Sequence, residues 1–249
     1  MTAANAAINK SATRKILAFV PASNTRHRGG KLLRDATGAF QPEAATFLKT
    51  MGTSDSRIVR VDNTGSMTMR RREVVDELEA VGGCAREGID PGVDCVAFFC
   101  HGWSRGIQLG FTTALAKPLA KLIWESCGHN AEVVVVLYCC STGGDRDTKR
   151  NSPGTGDGSF ADKLRDELCT LGAVLCRVVA HTTVAHTTRN PFAIFMDGMG
   201  TPFGGAGGYF PVGQGSKLWG KWRKALQKGT LRFRFPFMTV ADIHTEIAA

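Results

Sequence analysis

A chain of 249 residues with a hydrophobic fraction of 43% can bury one substantial core, so a single domain is expected. The formal charge of +9, from 31 basic against 22 acidic residues, draws a protein toward acidic proteins, nucleic acid or anionic surfaces without requiring any of them. No secretory-type apolar stretch opens the chain, no run approaches about 18 apolar residues, and the eight cysteines are spread through apolar segments. That pattern disfavours a membrane-spanning or disulfide-stapled protein and favours a soluble one in a reducing cytoplasm.

Residues 1–14 read as a flexible arm, 15–240 as one domain and 241–249 as a tail. Lys15 to Ala22 forms a first buried strand stopped by Pro21, and the polar stretch Ser23 to Gly30 reads as a loop or lip. Leu32, Leu33, Ala36, Phe40, Ala44, Phe47 and Leu48 recur at loose helical spacing, and Ile58 to Val61 is a second strand. Val74, Val75, Leu78 and Val81 mark a helix that Gly82-Gly83 is expected to end.

Two apolar runs follow, Val93 to Cys100 and Val133 to Cys139, each with the β-branched or aromatic content of a strand covered on both faces of a parallel sheet. Between them, Ile107 to Phe111 reads as a short strand excursion and Leu115 to Trp124 as a helix. Gly143 to Gly158 has no apolar face and reads as an exposed loop. Phe160, Leu164, Leu168 and Leu171 then give a helix capped by Ser159, while Arg177 to Ala180 and Phe192 to Met196 give strands. The stretch 201–215 holds six glycines and reads as a flap or loop, and 217–228 as a basic amphipathic helix covering the sheet. Alternating elements of this kind predict an α/β three-layer sandwich around a mostly parallel sheet of about six strands.

Open parallel sheets carry their sites at the carboxyl ends of strands. There the first run ends in His101-Gly102 and the second in Cys139-Cys140-Ser141-Thr142-Gly143. A thiol is only partly ionised at neutral pH and needs an imidazole or a positive potential beside it to act as a nucleophile. If the two strands are neighbours, His101 supplies that imidazole, and the amides of Gly102 and Cys140 can serve as an oxyanion hole. Strand alternation turns Cys139 and Cys140 to opposite faces, so only one of them faces His101; Cys140 is the candidate nucleophile and Cys139 its rival. Cys95 and Cys100 read as buried packing thiols. No Cys-x-x-Cys spacing occurs, so a metal site is not indicated.

The order of an apolar strand ending in His-Gly and a second ending in Cys-Cys-Ser-Thr-Gly resembles the caspase-like cysteine peptidases, the group of caspases, metacaspases, legumain, gingipains, separase and the CHAT-type peptidases. The likeness in element order extends from Lys15 to about Met196. It implies a caspase-like fold and a His101–Cys140 dyad that hydrolyses peptide bonds through a thioester acyl-enzyme, with a protein or peptide as substrate and no cofactor or metal. Tyr138 stands where caspases tend to have Gln and metacaspases Asp, and Ser141-Thr142-Gly143 is closer to the legumain and CHAT pattern. The 38 residues between His101 and Cys140 are few for a caspase but sufficient for one helix and a return.

Substrate preference stays open. Asp35, Asp145 or Asp147 near the site would favour a basic residue before the scissile bond, whereas Arg26 or Arg28 would favour an acidic one, and Tyr138 borders the same pocket. Two alternatives accompany the peptidase reading. One is an inactive caspase-like module that binds a protein or nucleic acid through its basic surface; the other is a thiol-dependent acyl transferase.

Overall fold

The computed structural model describes residues 13–23, 25–28, 31–34, 40–144, 158–181, 193–197 and 231–238, with single positions at 221, 224, 225, 242 and 245. The elements run β1 (Ile16–Pro21), β2 (Thr25–Arg28), β3 (Lys31–Arg34), α1 (Phe40–Met51), β4 (Arg57–Val61), α2 (Met67–Arg86) and β5 (Cys95–Phe99). Three two-residue strands follow, β6 (Gly102–Trp103), β7 (Gly106–Ile107) and β8 (Phe111–Thr112), and then α3 (Ala116–Ser126), β9 (Val134–Tyr138), α4 (Phe160–Thr170), β10 (Arg177–His181) and β11 (Ala193–Asp197). A single helical turn at Leu231–Arg234 leads into a 3-10 turn at Phe235–Phe237.

The central sheet has the order β11-β10-β9-β5-β1-β4. Its five strands from β10 to β4 are all parallel, and β11 joins as an antiparallel edge strand. The three-layer α/β expectation therefore holds. In chain order the parallel strands run 2-1-3-4-5 across the sheet, a doubly wound arrangement whose crevice opens where the order reverses, between β1 and β5.

Alternation along the strands divides the core in two. Leu17, Phe19, Val96, Phe98, Cys100, Val135, Leu137 and Cys139 pack against α2, α3 and α4, whereas Ile16, Ala18, Val20, Cys95, Ala97, Phe99 and Val136 pack against α1 and the turn around Phe233 and Phe237. Every residue of β5 is buried, which is why its sequence shows no polar alternation.

Several local readings change. Thr25 to Arg28 is a strand paired with Lys31 to Arg34 in register Arg28↔Lys31, not a loop, and Leu32 and Leu33 belong to that hairpin, not to a helix. The Gly29-Gly30 dipeptide between the two strands is a hairpin signal that the surrounding charges obscured. The helix starts at Phe40 and tolerates Pro42 in its first turn, where the missing amide hydrogen has no helical acceptor. α2 continues through Gly82-Gly83 to Arg86. Gly82 is needed for packing: a Cβ there would stand 3.2 Å from Cβ of Glu125 on α3. Arg14 is not part of a free arm, since it bridges Gly52 and donates its amide to the Met51 carbonyl at 2.7 Å. Residues 1–12 of the expected arm, the glycine-rich stretch 201–215, and most of 217–228 and 241–249 lie outside the described residues; Lys221, Lys224 and Ala225 are helical. Among the described residues no helix is long and apolar enough to cross a membrane.

Phe98 is fully buried in the central strand and stacks on Phe19 at 5.3 Å. Replacing it with alanine removes one ring of that stacked pair and leaves a cavity against Phe19. Phe98→Ala is expected to destabilise the fold by about 3–5 kcal/mol, read as a lower urea midpoint at unchanged slope.

Candidate active site

β5 and β9 are neighbours in parallel register, with Phe98 opposite Leu137 and Phe99 opposite Tyr138. Continued by one residue, that register sets Cys100 opposite Cys139, and their sulfurs are indeed 3.6 Å apart. Continued by two, it sets His101 opposite Cys140. Gly102 provides a second measure of the approach: a Cβ built there would stand 2.7 Å from Cγ2 of Thr142, 2.8 Å from Cβ of Cys139 and 3.0 Å from the Cys140 carbonyl oxygen. The His101-Gly102 and Cys139-to-Thr142 segments thus touch, and only glycine permits the distance.

The two adjacent cysteines differ in environment. Cys139 is fully buried in the layer of α2, α3 and α4, and its thiol contacts the Phe98 carbonyl at 3.3 Å. Burial first, and then the neighbouring Cys100, push its pKa well above the ordinary thiol range. Cys140 is partly exposed. Beyond it the chain turns sharply, and Ser141 takes a left-handed conformation with φ of 55°. A non-glycine residue at such an angle carries backbone strain that its surroundings must hold.

The surroundings do so through the start of α4. Thr142 is fully buried, donates its hydroxyl to the Cys139 carbonyl at 3.2 Å, and accepts at its own carbonyl from the Ala161 amide at 3.0 Å. The Phe160 amide donates to the Ser104 carbonyl at 2.8 Å, so the first turn of one helix ties down both the loop after His101 and the loop after Cys140. Those amides are ones that a helix cannot satisfy within itself. Ser159 caps the turn by accepting from the Asp162 amide at 3.2 Å, and the buried Asp162 carboxylate accepts from Arg165 at 2.8 Å. On the other side, the Gly143 amide donates to the His181 carbonyl at the end of β10, 2.9 Å away.

His101 is partly exposed, and its ring stands edge-on to Phe40 at 5.0 Å. Its backbone is fixed by Gln108, which accepts the His101 amide at Oε1 and donates its own amide to the His101 carbonyl at 2.8 Å. Beside it lies a cleft of about 540 Å³ lined by Thr64, Gly65, Ser66, Arg70, Trp103 and Gln108, among others. Tyr138 sits on the α1 side, stacked on Phe99 at 5.0 Å and edge-on to the buried His181 at 5.2 Å, with its hydroxyl 3.5 Å from Glu43.

The structure therefore brings His101, Gly102, Cys140 and Tyr138 to one sheet edge. Arg28 ends β2, with its side chain outside the described residues together with Asp35, Asp145 and Asp147. Sequence reasoning missed Arg70, Gln108 and His181 as neighbours of the site. Arg70 and Gln108 left no local signal, because an arginine in a charged helix and a glutamine in a loop are ordinary. His181 did carry one, as a histidine ending an apolar strand in the same manner as His101. Among the described residues, no three His, Cys, Asp or Glu side chains converge as a metal site requires.

Two outcomes follow from this geometry. In the folded protein at neutral pH, a soluble alkylating reagent is expected to label Cys84, which is exposed, and Cys140 well before Cys95, Cys127 and Cys139, whose thiols burial holds protonated; peptide mapping by mass spectrometry reads the order. Gly102→Ala forces the two loops apart and is expected to cost about 1–3 kcal/mol of stability, measured by chemical denaturation. The chain matches no protein-family model and no curated protein.

Proposed function

We propose that this protein is a cysteine peptidase of the caspase-like kind, with Cys140 as nucleophile and His101 as its acid and base. The observation that supports the reading is the register of β5 on β9, whose last pair is Phe99↔Tyr138 and whose continuation by two residues leads to His101 and Cys140 at the carboxyl edge of the sheet. Partial exposure of Cys140 and complete burial of Cys139 favour the former as the reactive thiol. His101 follows β5, one of the two strands that flank the crevice where a doubly wound sheet carries its sites.

In this mechanism the Cys140 thiol gives its proton to His101 and the thiolate attacks the carbonyl carbon of a bound peptide. The resulting oxyanion is held by the amides of Gly102 and Cys140. Collapse of the tetrahedral intermediate breaks the C–N bond, and the proton held on His101 goes to the departing amine. Water, deprotonated by the same imidazole, then attacks the thioester and restores the free thiol. The strained turn at Ser141 fixes the direction of the Cys140 amide, and Thr142, anchored by α4, keeps that turn in place.

The test is turnover of a fluorogenic peptide panel with Asp, Asn, Arg, Lys or Leu before the scissile bond, under reducing conditions. Cys140→Ala and His101→Ala are each expected to lower kcat by about a thousandfold or more at matched folding. Cys139→Ala is expected to keep most of the activity. Loss of activity with Cys139 alone would move the nucleophile by one residue, and a folded wild type that cleaves nothing would overturn the peptidase reading.

A further inference from the structure

The cleft beside His101 extends away from Cys140. In the sheet order β4-β1-β5-β9, Cys140 follows β9 and His101 follows β5, while Thr64 to Met67, which form the far wall, follow β4. A general acid that protonates a departing amine stands between the nucleophile and the leaving group. On the peptidase reading, the cleft therefore lies on the leaving-group side of the scissile bond.

Its base is charged. Arg70 is 6% exposed and lines the cleft. Its Nε and Nη2 donate to the Gly65 carbonyl at 3.1 and 2.8 Å, and its Nη1 donates to the Gln108 carbonyl at 3.2 Å. Those bonds use three of the five N–H groups of a guanidinium and leave two. No carboxylate bonds to it among the described residues. Asp62, whose charge acts on Arg70, accepts instead from the amide and hydroxyl of Thr64. The first turn of α2 carries no acidic residue, so its positive end adds to the Arg70 charge. Burial lowers the Arg70 pKa from its ordinary value, and the Asp62 charge offsets that only in part. A buried cation without a bonded anion is costly, and an incoming carboxylate would relieve that cost. Trp103 and Met67, 40% and 41% exposed, supply apolar wall to the same cleft.

We propose that this cleft is a subsite for the peptide segment following the scissile bond, and that Arg70 selects a glutamate there. The side chain's methylenes lie along Trp103 and Met67, and its carboxylate takes the two remaining Arg70 N–H groups. The proposal rests on the peptidase reading for its position along the substrate. Its chemistry rests on the cleft alone.

The experiment compares matched peptides with Glu, Gln or Leu in the first two positions after the scissile bond. In wild type, kcat/KM for the Glu peptide is expected to exceed that for Gln by about 10-fold to 100-fold and to fall with added salt. Arg70→Gln should bring the ratio near one, and Arg70→Lys should retain part of it. Equal rates for Glu and Gln in wild type would overturn the subsite while leaving the peptidase standing. Because Arg70 also holds two backbone carbonyls, the wild-type ratio and its salt dependence decide the matter if the variants do not fold. A second arm measures binding of the same intact peptides to Cys140→Ala by Trp103 fluorescence, with Trp103→Phe as the reference. If wild type cleaves nothing, the peptidase reading falls and this arm decides alone. At least tenfold tighter binding of the Glu peptide supports the Arg70 subsite, and indistinguishable binding overturns it.

Discussion

The register of β5 against β9 is the constraint on which the candidate site depends. Parallel pairing fixes which residue of one strand stands opposite which residue of the other, and a slip of one position would turn every side chain to the opposite layer. Here the pairing is held by burial on both faces, since all of β5 and the centre of β9 lie within the core. The Cys100–Cys139 contact shows that the register persists just past the last ladder pair. His101 and Cys140 are the next residues along the two strands, at the same edge of the sheet.

Alternation gives the two cysteines different fates. Cys139 enters the layer of α2, α3 and α4, where it meets Cys100 and a backbone carbonyl and stays protonated. Cys140 lies beyond the last ladder residue, where the chain turns, and is partly exposed. One thiol thus packs the core while its neighbour is left accessible. The division comes from the pleat and not from any difference in the residues themselves.

The loops beyond the strand ends owe their position to a third element. The first-turn amides of α4 need acceptors outside the helix, and they find them in the carbonyls of Ser104 and Thr142. Ser159, Asp162 and Arg165 hold that turn in place. Strain at Ser141 is tolerated because both sides of the turn are bonded, to α4 through Thr142 and to β10 through Gly143. Around the other flank, Gln108 fixes the His101 backbone and Arg70 in turn holds the Gln108 carbonyl. The cleft and the strand ends are therefore parts of one bonded framework.

Residue order alone determined the α/β class, the buried strands that lead to His101 and Cys140, the Ser159 cap, and the places of α2, α3 and α4 along the chain. These follow from local periodicity and from the need to bury continuous apolar runs. It did not reveal the β2–β3 hairpin, whose Gly29-Gly30 signal lay among charges, nor the continuation of α2 through Gly82, where the glycine serves contact with a helix some forty residues later. Which strands are neighbours, which thiol is accessible, and which arginine lies beneath the cleft were decided only by the tertiary structure. Each of those is a contact between segments far apart in the chain, set by competition among all the buried surfaces at once, and no window of sequence contains it.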